Sequence, residues 1–292
     1  MKELIIISGK GGTGKTSVAA SLVALAKKSV VADCDVDAAD LHLVLAPQVK
    51  KVEDFSGGKS ATIMSDRCNN CGKCYEICRF GAVSKDESKQ PAYSIDPIAC
   101  EGCGVCSYFC LQKAIAFEPT VNGQWYISDT PYGPLVHARL SIAAENSGKL
   151  VSLVRSQAKM LAEKEELPYI IVDGPPGIGC PVIASITGAD AVLIITEPTV
   201  SGEHDLERVA ELVRYFKIPT YLCINKFDLN LEKSKSIEEK AVASGINVIG
   251  RIHYDRAVTG AQVKRVPVVK FARCTVAKDL RDIWDRLVTE LN

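Results

Sequence analysis

No apolar stretch in this chain reaches the roughly 18 residues that a helix needs to cross a bilayer, so no membrane partner is expected. Nor is there an excess of charge of either sign. Lys and Arg total 35, Asp and Glu total 35, and the net charge is zero. Without a basic surplus there is no bulk attraction to nucleic acid or to an anionic membrane surface, and no nucleic-acid partner is expected. The opening Met1-Lys2-Glu3-Leu4-Ile5-Ile6-Ile7-Ser8 is too short and too strand-like for a secretion signal, so the expected location is cytoplasmic. A composition of 47% hydrophobic and 24% charged residues is that of an ordinary globular protein and excludes long disorder, collagen and coiled coil. The 292 residues amount to about two domains at ~150 residues each.

What the chain has in excess is cysteine. Its twelve cysteines are about twice the usual load of a cytoplasmic chain of this size, and eight fall between Cys68 and Cys110. Clustered thiols in a reducing compartment point to metal rather than to disulfides.

Outside that cluster the pattern is one of alternating strands and helices. Strands are expected at residues 3–8, 30–33, 169–173, 191–196, 220–225 and 247–252. Helices are expected at about 15–28, 38–45, 147–166, 202–216, 231–244, 255–263 and 276–291. Near-continuous apolar strands predict an α/β fold: a mostly parallel sheet with helices on both faces. The segment 125–140 reads as a hairpin or an irregular linker. The cysteine-rich block interrupts the alternation after the second strand and reads as an insertion. The expected division is a discontinuous α/β domain, 1–56 and 119–292, and a small inserted domain, 57–118, expected to be α+β.

Gly9-Lys10-Gly11-Gly12-Thr13-Gly14-Lys15-Thr16 fits the phosphate-loop pattern G-x-x-x-x-G-K-T, between an expected strand and an expected helix. Its glycines let backbone N–H groups wrap around phosphate oxygens, and the helix N-terminus adds a positive dipole. Lys15 should reach the β- and γ-phosphates, and the Thr16 hydroxyl should ligate Mg²⁺. The expected nucleotide contacts are Gly11, Gly12, Thr13, Gly14, Lys15, Thr16 and Ser17.

The second lysine of the loop, Lys10, makes the motif K-G-G-x-G-K-T, which resembles the deviant Walker A loop of the MinD, ParA and nitrogenase iron-protein family. That resemblance covers residues 1–46 and about 145–292. It implies an ATPase that dimerises on ATP binding, with Lys10 crossing to the partner's phosphates. Asp33-Cys34-Asp35 looks like the family's first switch, with Asp35 positioning the attacking water and Asp33 nearer the Mg²⁺ shell. Asp173-Gly174-Pro175-Pro176-Gly177 looks like the second switch, with Asp173 as the Walker B acid. Asn225 follows a strand and is placed to bond a purine base. Two departures stand out. Asn225-Lys226-Phe227-Asp228 also fits the guanine-reading pattern of small GTPases, although relatives with the K-G-G loop bind adenine nucleotides. Arg251-Ile252-His253 stands where relatives carry a proline near the base, and His253 reads as a surface or packing residue.

Within the insertion, Cys68-x2-Cys71-x2-Cys74-x3-Cys78 is repeated as Cys100-x2-Cys103-x2-Cys106-x3-Cys110. This is the bacterial ferredoxin spacing, twice. In that arrangement three close cysteines hold one cubane and the fourth serves the other. Cys68, Cys71, Cys74 and Cys110 should bind one [4Fe–4S] cluster, and Cys100, Cys103, Cys106 and Cys78 the second. The proline that often follows the fourth cysteine is replaced by Arg79 and Leu111. Zinc is disfavoured, because its structural sites pair two knuckles across a longer gap. Of the remaining cysteines, Cys34 and Cys223 read as core, Cys274 stands alone, and Cys180 reads as a packing residue near a dimer interface.

These readings combine into an ATP-hydrolysing iron–sulfur protein that gates electron transfer as a nucleotide-dependent dimer, acting on a redox partner not named by the sequence. The alternative is a cluster carrier or assembly factor of the Mrp type, delivering to an apo-protein. A membrane-positioning ATPase is disfavoured because the stripe Ala277, Leu280, Ile283, Trp284, Leu287, Val288 and Leu291 has no basic extension and reads as core packing. An amidoligase of the cobyrinate type is disfavoured by Lys10.

Overall fold

Runs such as Ile5-Ile6-Ile7 and Val30-Val31-Ala32, apolar at every position, can be satisfied only by a strand covered on both faces. The computed structural model, which describes residues 1–141 and 146–291, puts them at the centre of a nine-stranded sheet. In chain order the strands are β1 (Lys2–Ser8), β2 (Ser29–Asp33), β3 (Gln48–Phe55), β4 (Gly58–Ile63), β5 (Val83–Lys85), β6 (Tyr93–Ile95), β7 (Ile115–Thr120), β8 (Gly123–Thr130), β9 (Gly133–Leu140), β10 (Tyr169–Pro176), β11 (Ala191–Thr196), β12 (Thr220–Asn225) and β13 (Asn247–Ile252). The helices are α1 (Lys15–Ala26), α2 (His42–Leu45), α3 (Lys73–Ile77), α4 (Val105–Tyr108), α5 (Ser147–Lys164), α6 (Cys180–Ile186), α7 (Val200–Phe216), α8 (Leu231–Ala243), α9 (Ala257–Val263), α10 (Val268–Phe271) and α11 (Thr275–Leu291).

The chain divides into two compact units. The first comprises Met1–Glu53, Trp125–Arg139 and Ser147–Asn292; the second comprises Asp54–Gln124 and Leu140–Asn146. The sheet of the first unit runs β13-β12-β11-β1-β10-β2-β9-β8-β3. Its pairings from β13 through β9 are all parallel. Side chains alternate between faces. Leu4, Ile6, Leu193 and Ile195 share one core with α1 and α11, and α5 and α6 also lie against the sheet. In α11, Ala277, Leu280, Ile283, Trp284, Leu287 and Leu291 are buried, the core-packing stripe read from the sequence.

Three local expectations need correction. The segment 125–140 is a true hairpin and also belongs to the main sheet, with β9 parallel to β2. Strand β3 was not anticipated: its residues are exposed but for Phe55, and the charges of Lys50, Lys51 and Glu53 protect an open sheet edge. The helix expected from Ala38 begins only at His42. Asp33 takes the Leu41 N–H on its carboxylate at 3.2 Å and the Asp35 N–H at 3.2 Å, which holds the intervening residues as a loop.

The second unit holds two antiparallel pairs, β4 with β7 and β5 with β6. Its cysteine runs have duplicate backbones. Asn70 and Gly102, each just before the second cysteine, have φ of 56° and 60°. Gly72 and Gly104, each just after it, have φ of 76° and 74°. Gly81 and Lys113, three residues past the fourth cysteine, have φ of 67° and 49°. Left-handed residues on either side of a cysteine turn neighbouring backbone N–H groups toward one side, as anion-binding concavities require. Each glycine at the middle position starts a short helix, α3 or α4.

Candidate functional site

The phosphate loop joins β1 to α1, and its lysine is deeply buried. Lys15 is 6% exposed, and its Nζ lies 2.6 Å from Asp173 Oδ1 and 3.5 Å from Asp35 Oδ2. The register explains the convergence: β10 pairs with β2 so that Asp173 lies opposite Asp33, and both strands end beside the loop. Asp33 is fully buried. Burial, then the neighbouring Asp173, hold its carboxyl well above the ordinary carboxylate range, although Lys15 pulls it down. Burial also lifts Asp35 above its ordinary value, against the pull of Lys15. For Lys15 itself, burial alone would lower the ammonium, but Asp173 and then Asp35 outweigh it and hold the ammonium above its ordinary value. Three carboxylates therefore share one cation. Asp173 Oδ2 and Thr13 Oγ1 are buried with no hydrogen-bond partner. A surplus of buried negative charge with an orphaned carboxylate oxygen suits Mg²⁺, which takes one or two carboxylates together with phosphate oxygens.

Gly12 and Gly14 adopt φ of 82° and 88°. A Cβ at Gly14 would collide with the Asn225 amide, whose Nδ2 donates to Thr13 O at 2.7 Å. Asn225 thus braces the loop as well as lining the cavity beside it. That cavity, about 240 Å³, runs from Gly12, Gly14 and Ser17 to His253 and Asp255. Ser17 accepts from Gln262 Nε2 at 3.1 Å. Gly11 is exposed, and Thr16 is half-buried at the first turn of α1.

Lys10 is not directed at these carboxylates. Its Nζ lies 2.8 Å from Glu197 Oε1, 2.8 Å from Ser201 Oγ and 3.4 Å from Thr199 Oγ1. Glu197 also pairs with Lys226 at 3.2 Å. Burial raises the Glu197 carboxyl, but the two lysines outweigh that and keep it below its ordinary range. Glu197 was missed in the sequence; the available signal was an acid just past the end of an apolar strand, the same position that drew notice to Asp173. His253 was read as surface or packing, yet it lines the cavity.

In the second unit a cavity of about 250 Å³ is lined by Cys78, Cys100, Cys103 and Cys106. These are three residues of one run and the fourth of the other, the same set assigned above to one cubane. Burial raises Cys78, but the N–H groups of Phe80, Ala82, Val83 and Gly81 outweigh it and hold the thiol below its ordinary value. The Ala114 N–H donates to Cys110 Sγ at 3.3 Å. Among the described residues, no three His, Cys, Asp or Glu side chains close tightly enough for a single metal ion. A zinc ion would need its sulfurs within about 2.3 Å of one point; a cubane spreads its four cysteines over four corners. The four thiols that line this one cavity are a donor set of the kind a cubane takes. Cys34 and Cys223 are buried, as expected for core residues. Cys180 is exposed at the start of α6.

Residues 4–268 match the family described as CobQ/CobB/MinD/ParA nucleotide binding domain. The chain belongs to that family. An uncharacterized protein of Methanocaldococcus jannaschii is 37% identical over 232 residues, 78% of this chain and 79% of the relative. An iron-sulfur cluster carrier protein of Pyrococcus furiosus is 25% identical over 140 residues, covering 43% of this chain and 47% of that one. The septum site-determining protein MinD of Pyrococcus horikoshii, solved as a complex with Mg-ADP, superposes with a TM-score of 0.59 at 15% identity over 100% of this chain and 98% of that one. This likeness establishes a P-loop α/β fold of the MinD type. Among the described residues no helix is long and apolar enough to cross a membrane.

Proposed function

We propose that the chain is a Mg·ATP-hydrolysing iron–sulfur protein whose nucleotide-dependent dimer gates electron transfer through two [4Fe–4S] clusters. The observation that carries the iron–sulfur half is the duplicated backbone of the two cysteine runs, together with the cavity that gathers Cys78 with Cys100, Cys103 and Cys106. One cluster belongs to that set, and the other to Cys68, Cys71, Cys74 and Cys110. The N–H groups around Cys78 and Cys110 stabilise charge on cluster sulfurs. The nucleotide half rests on family membership and on the Lys15, Asp35 and Asp173 arrangement.

In hydrolysis, the loop from Gly11 to Ser17 grips the phosphates and Lys15 neutralises charge developing on the oxygens. Asp35 orients the water, while Asp173 and Thr16 hold Mg²⁺ and Asp33 shapes the loop that carries Asp35. Bound Mg²⁺ supplies charge withdrawal from the phosphates, and each bound cluster supplies a one-electron site. Lys10 leaves Glu197 and Ser201 to meet the phosphates of a second copy. The partners are thus a second copy of the chain and a redox protein, in the cytoplasm.

A second reading is favoured by one observation, the likeness to an iron-sulfur cluster carrier: the clusters would be cargo for an apo-protein. The test is the rate of cluster reduction by an external donor, under anaerobic conditions, with ATP, ADP or no nucleotide. Faster or slower reduction with ATP, lost in Lys10→Ala, supports gating. Identical rates in all three conditions refute it, and transfer of iron to an apo-ferredoxin during turnover favours the carrier.

A further inference from the structure

One wall of the cavity beside the phosphate loop is formed by His253, where relatives carry a proline. His253 lies just past the end of β13, and its environment fixes its ring chemistry. The backbone N–H of His253 donates to Asp279 Oδ2 at 3.0 Å, and ring Nδ1 lies 2.7 Å from the same oxygen. A carboxylate only accepts, so Nδ1 carries the proton in that contact. The ring edge meets Phe227 with centroids 4.7 Å apart and planes at 70°. Phe227 is in turn covered by the Arg251 guanidinium, which is paired with Glu238. Orientation and tautomer are both determined from outside the cavity. The one polar atom left to the neutral ring is Nε2, and it is an acceptor.

Asp228, the acid of the Asn225-Lys226-Phe227-Asp228 pattern, is used differently from a guanine-reading aspartate. Its Oδ1 accepts the Tyr254 N–H at 2.7 Å, and it is absent from the cavity wall. The acid that could have paired with guanine instead ties down the loop that presents His253.

We infer that His253 is the residue that reads position 6 of the purine, accepting a hydrogen bond from an exocyclic amine through Nε2, with Asp279 as the positioning residue that holds the neutral ring in its Nδ1–H tautomer. This rests on the nucleotide site proposed above and adds its selectivity. An adenine amine donates to Nε2; the carbonyl oxygen of guanine or hypoxanthine would set one acceptor against another.

The experiment is calorimetric titration of the full chain at mildly alkaline pH with the Mg²⁺ complexes of ADP, GDP and IDP, for the wild type, His253→Ala and Asp279→Asn. IDP differs from ADP in the 6-substituent and in the proton that N1 carries with it, and lacks the extra amine of GDP, so the loss of the ADP:IDP preference in His253→Ala, rather than the wild-type ratio itself, assigns the discrimination to His253. The wild type should prefer ADP over IDP by at least about tenfold. In His253→Ala that preference should fall to near unity, mainly through weaker ADP binding. In Asp279→Asn, whose amide no longer demands a donor from Nδ1, it should fall partway while IDP binds more tightly. Because the His253 side chain is 41% exposed, truncation does not open the core. Equal weakening of ADP and IDP in His253→Ala would mean a merely structural role and would overturn the inference, as would an unchanged ratio. Failure of the wild type to bind any nucleotide would instead overturn the proposed function.

Discussion

The buried charge cluster allows a prediction that needs no nucleotide. Replacing Lys15 by Met keeps the apolar stem and removes only the ammonium. Asp173, 1% exposed, then loses its 2.6 Å partner, and Asp33, fully buried, loses its nearby cation. Removing one member of a buried pair costs about 3–5 kcal/mol, because the other charge stays desolvated and unpaired. For a domain of this size about 1 kcal/mol corresponds to roughly 2–4 °C, so melting of the apo-protein should fall by roughly 10 °C. The second substitution Asp173→Asn on that background removes the orphaned charge and should recover much of the loss. The pH dependence has a defined sign. Asp33 has a folded pKa raised above its unfolded value, so it favours folding below the ordinary carboxylate value near 3.9 and that contribution is lost as pH rises through the raised value. Without Lys15 to pull Asp33 down, the deficit of Lys15→Met should be larger at pH 7 than at pH 5. The assay is calorimetric melting of wild type, the two single variants and the double variant at both pH values, without nucleotide or Mg²⁺. A double variant no more stable than Lys15→Met, or a Lys15→Met melt within 2 °C or so of wild type, would refute the charge-balance argument.

Three further outcomes are expected. Anaerobically purified protein should carry about eight Fe and eight sulfide per chain, and Cys78→Ser should remove the spectroscopic signature of one cluster while leaving the other; stoichiometric zinc with little iron would refute the assignment. Asp35→Ala should retain Mg·ATP and lose hydrolysis by about 100-fold or more, since water positioning is a transition-state task; normal turnover would remove Asp35 from that role. His137, buried beside His42, has its pKa lowered to about 4, first by burial and then by that neighbour. Its contribution is therefore complete above the unfolded value near 6.5 and is lost as pH falls toward 4, by at most about 3 kcal/mol. His137→Phe should flatten that part of the stability profile, measured by urea unfolding between pH 4 and 7.

The phosphate loop, the central strands and the cysteine runs were legible in the sequence because each is specified locally. Lys10 through Ser17 is one turn between a strand and a helix, and the cysteine spacings are set by the chain wrapping on itself over a dozen residues. The contacts that were missed are long-range. Lys10 meets Glu197 and Ser201 across more than 180 residues, and His253 meets Asp279 across 26; neither pair carries a signal in spacing. The β8–β9 hairpin was legible as a hairpin, with Thr130 Oγ1 accepting the Tyr132 N–H at 3.1 Å in its turn. Its place in the sheet was not, since nothing in Gly133–Leu140 states that β2 will be its neighbour. The shortened α2 has the same cause: a propensity for helix from Ala38 loses to Asp33, which captures the Leu41 N–H from outside the segment.

That placement of β9 bears on the proposed gating. β9 pairs in register with β2, so that Val31 faces Leu135, Ala32 faces Val136 and Asp33 faces His137. Three residues beyond His137, the chain passes at Leu140 into the returning segment of the second unit. It comes back at Ser147 into α5, a helix packed on β2 and β10, the strands that bring Asp33 and Asp173 to the nucleotide site. The Cys34 N–H, one residue past β2, donates to Asp173 O at 2.8 Å, which ties the two acid-bearing strand ends together. Packed cores respond to small shifts by moving between discrete arrangements rather than by continuous deformation. Under the proposed function, a change in charge at Asp33, Asp35 and Asp173 would act on β2, on its neighbour β9 and on α5, and the last two are continuous with the second unit through the chain itself. An insertion tethered only through the exposed edge strand β3 would have no such connection. Under the proposed function, nucleotide state would be expected to act on β9 and α5, the elements at which the chain leaves and re-enters the first unit, and the direction of the effect would depend on which arrangement binds ATP more tightly.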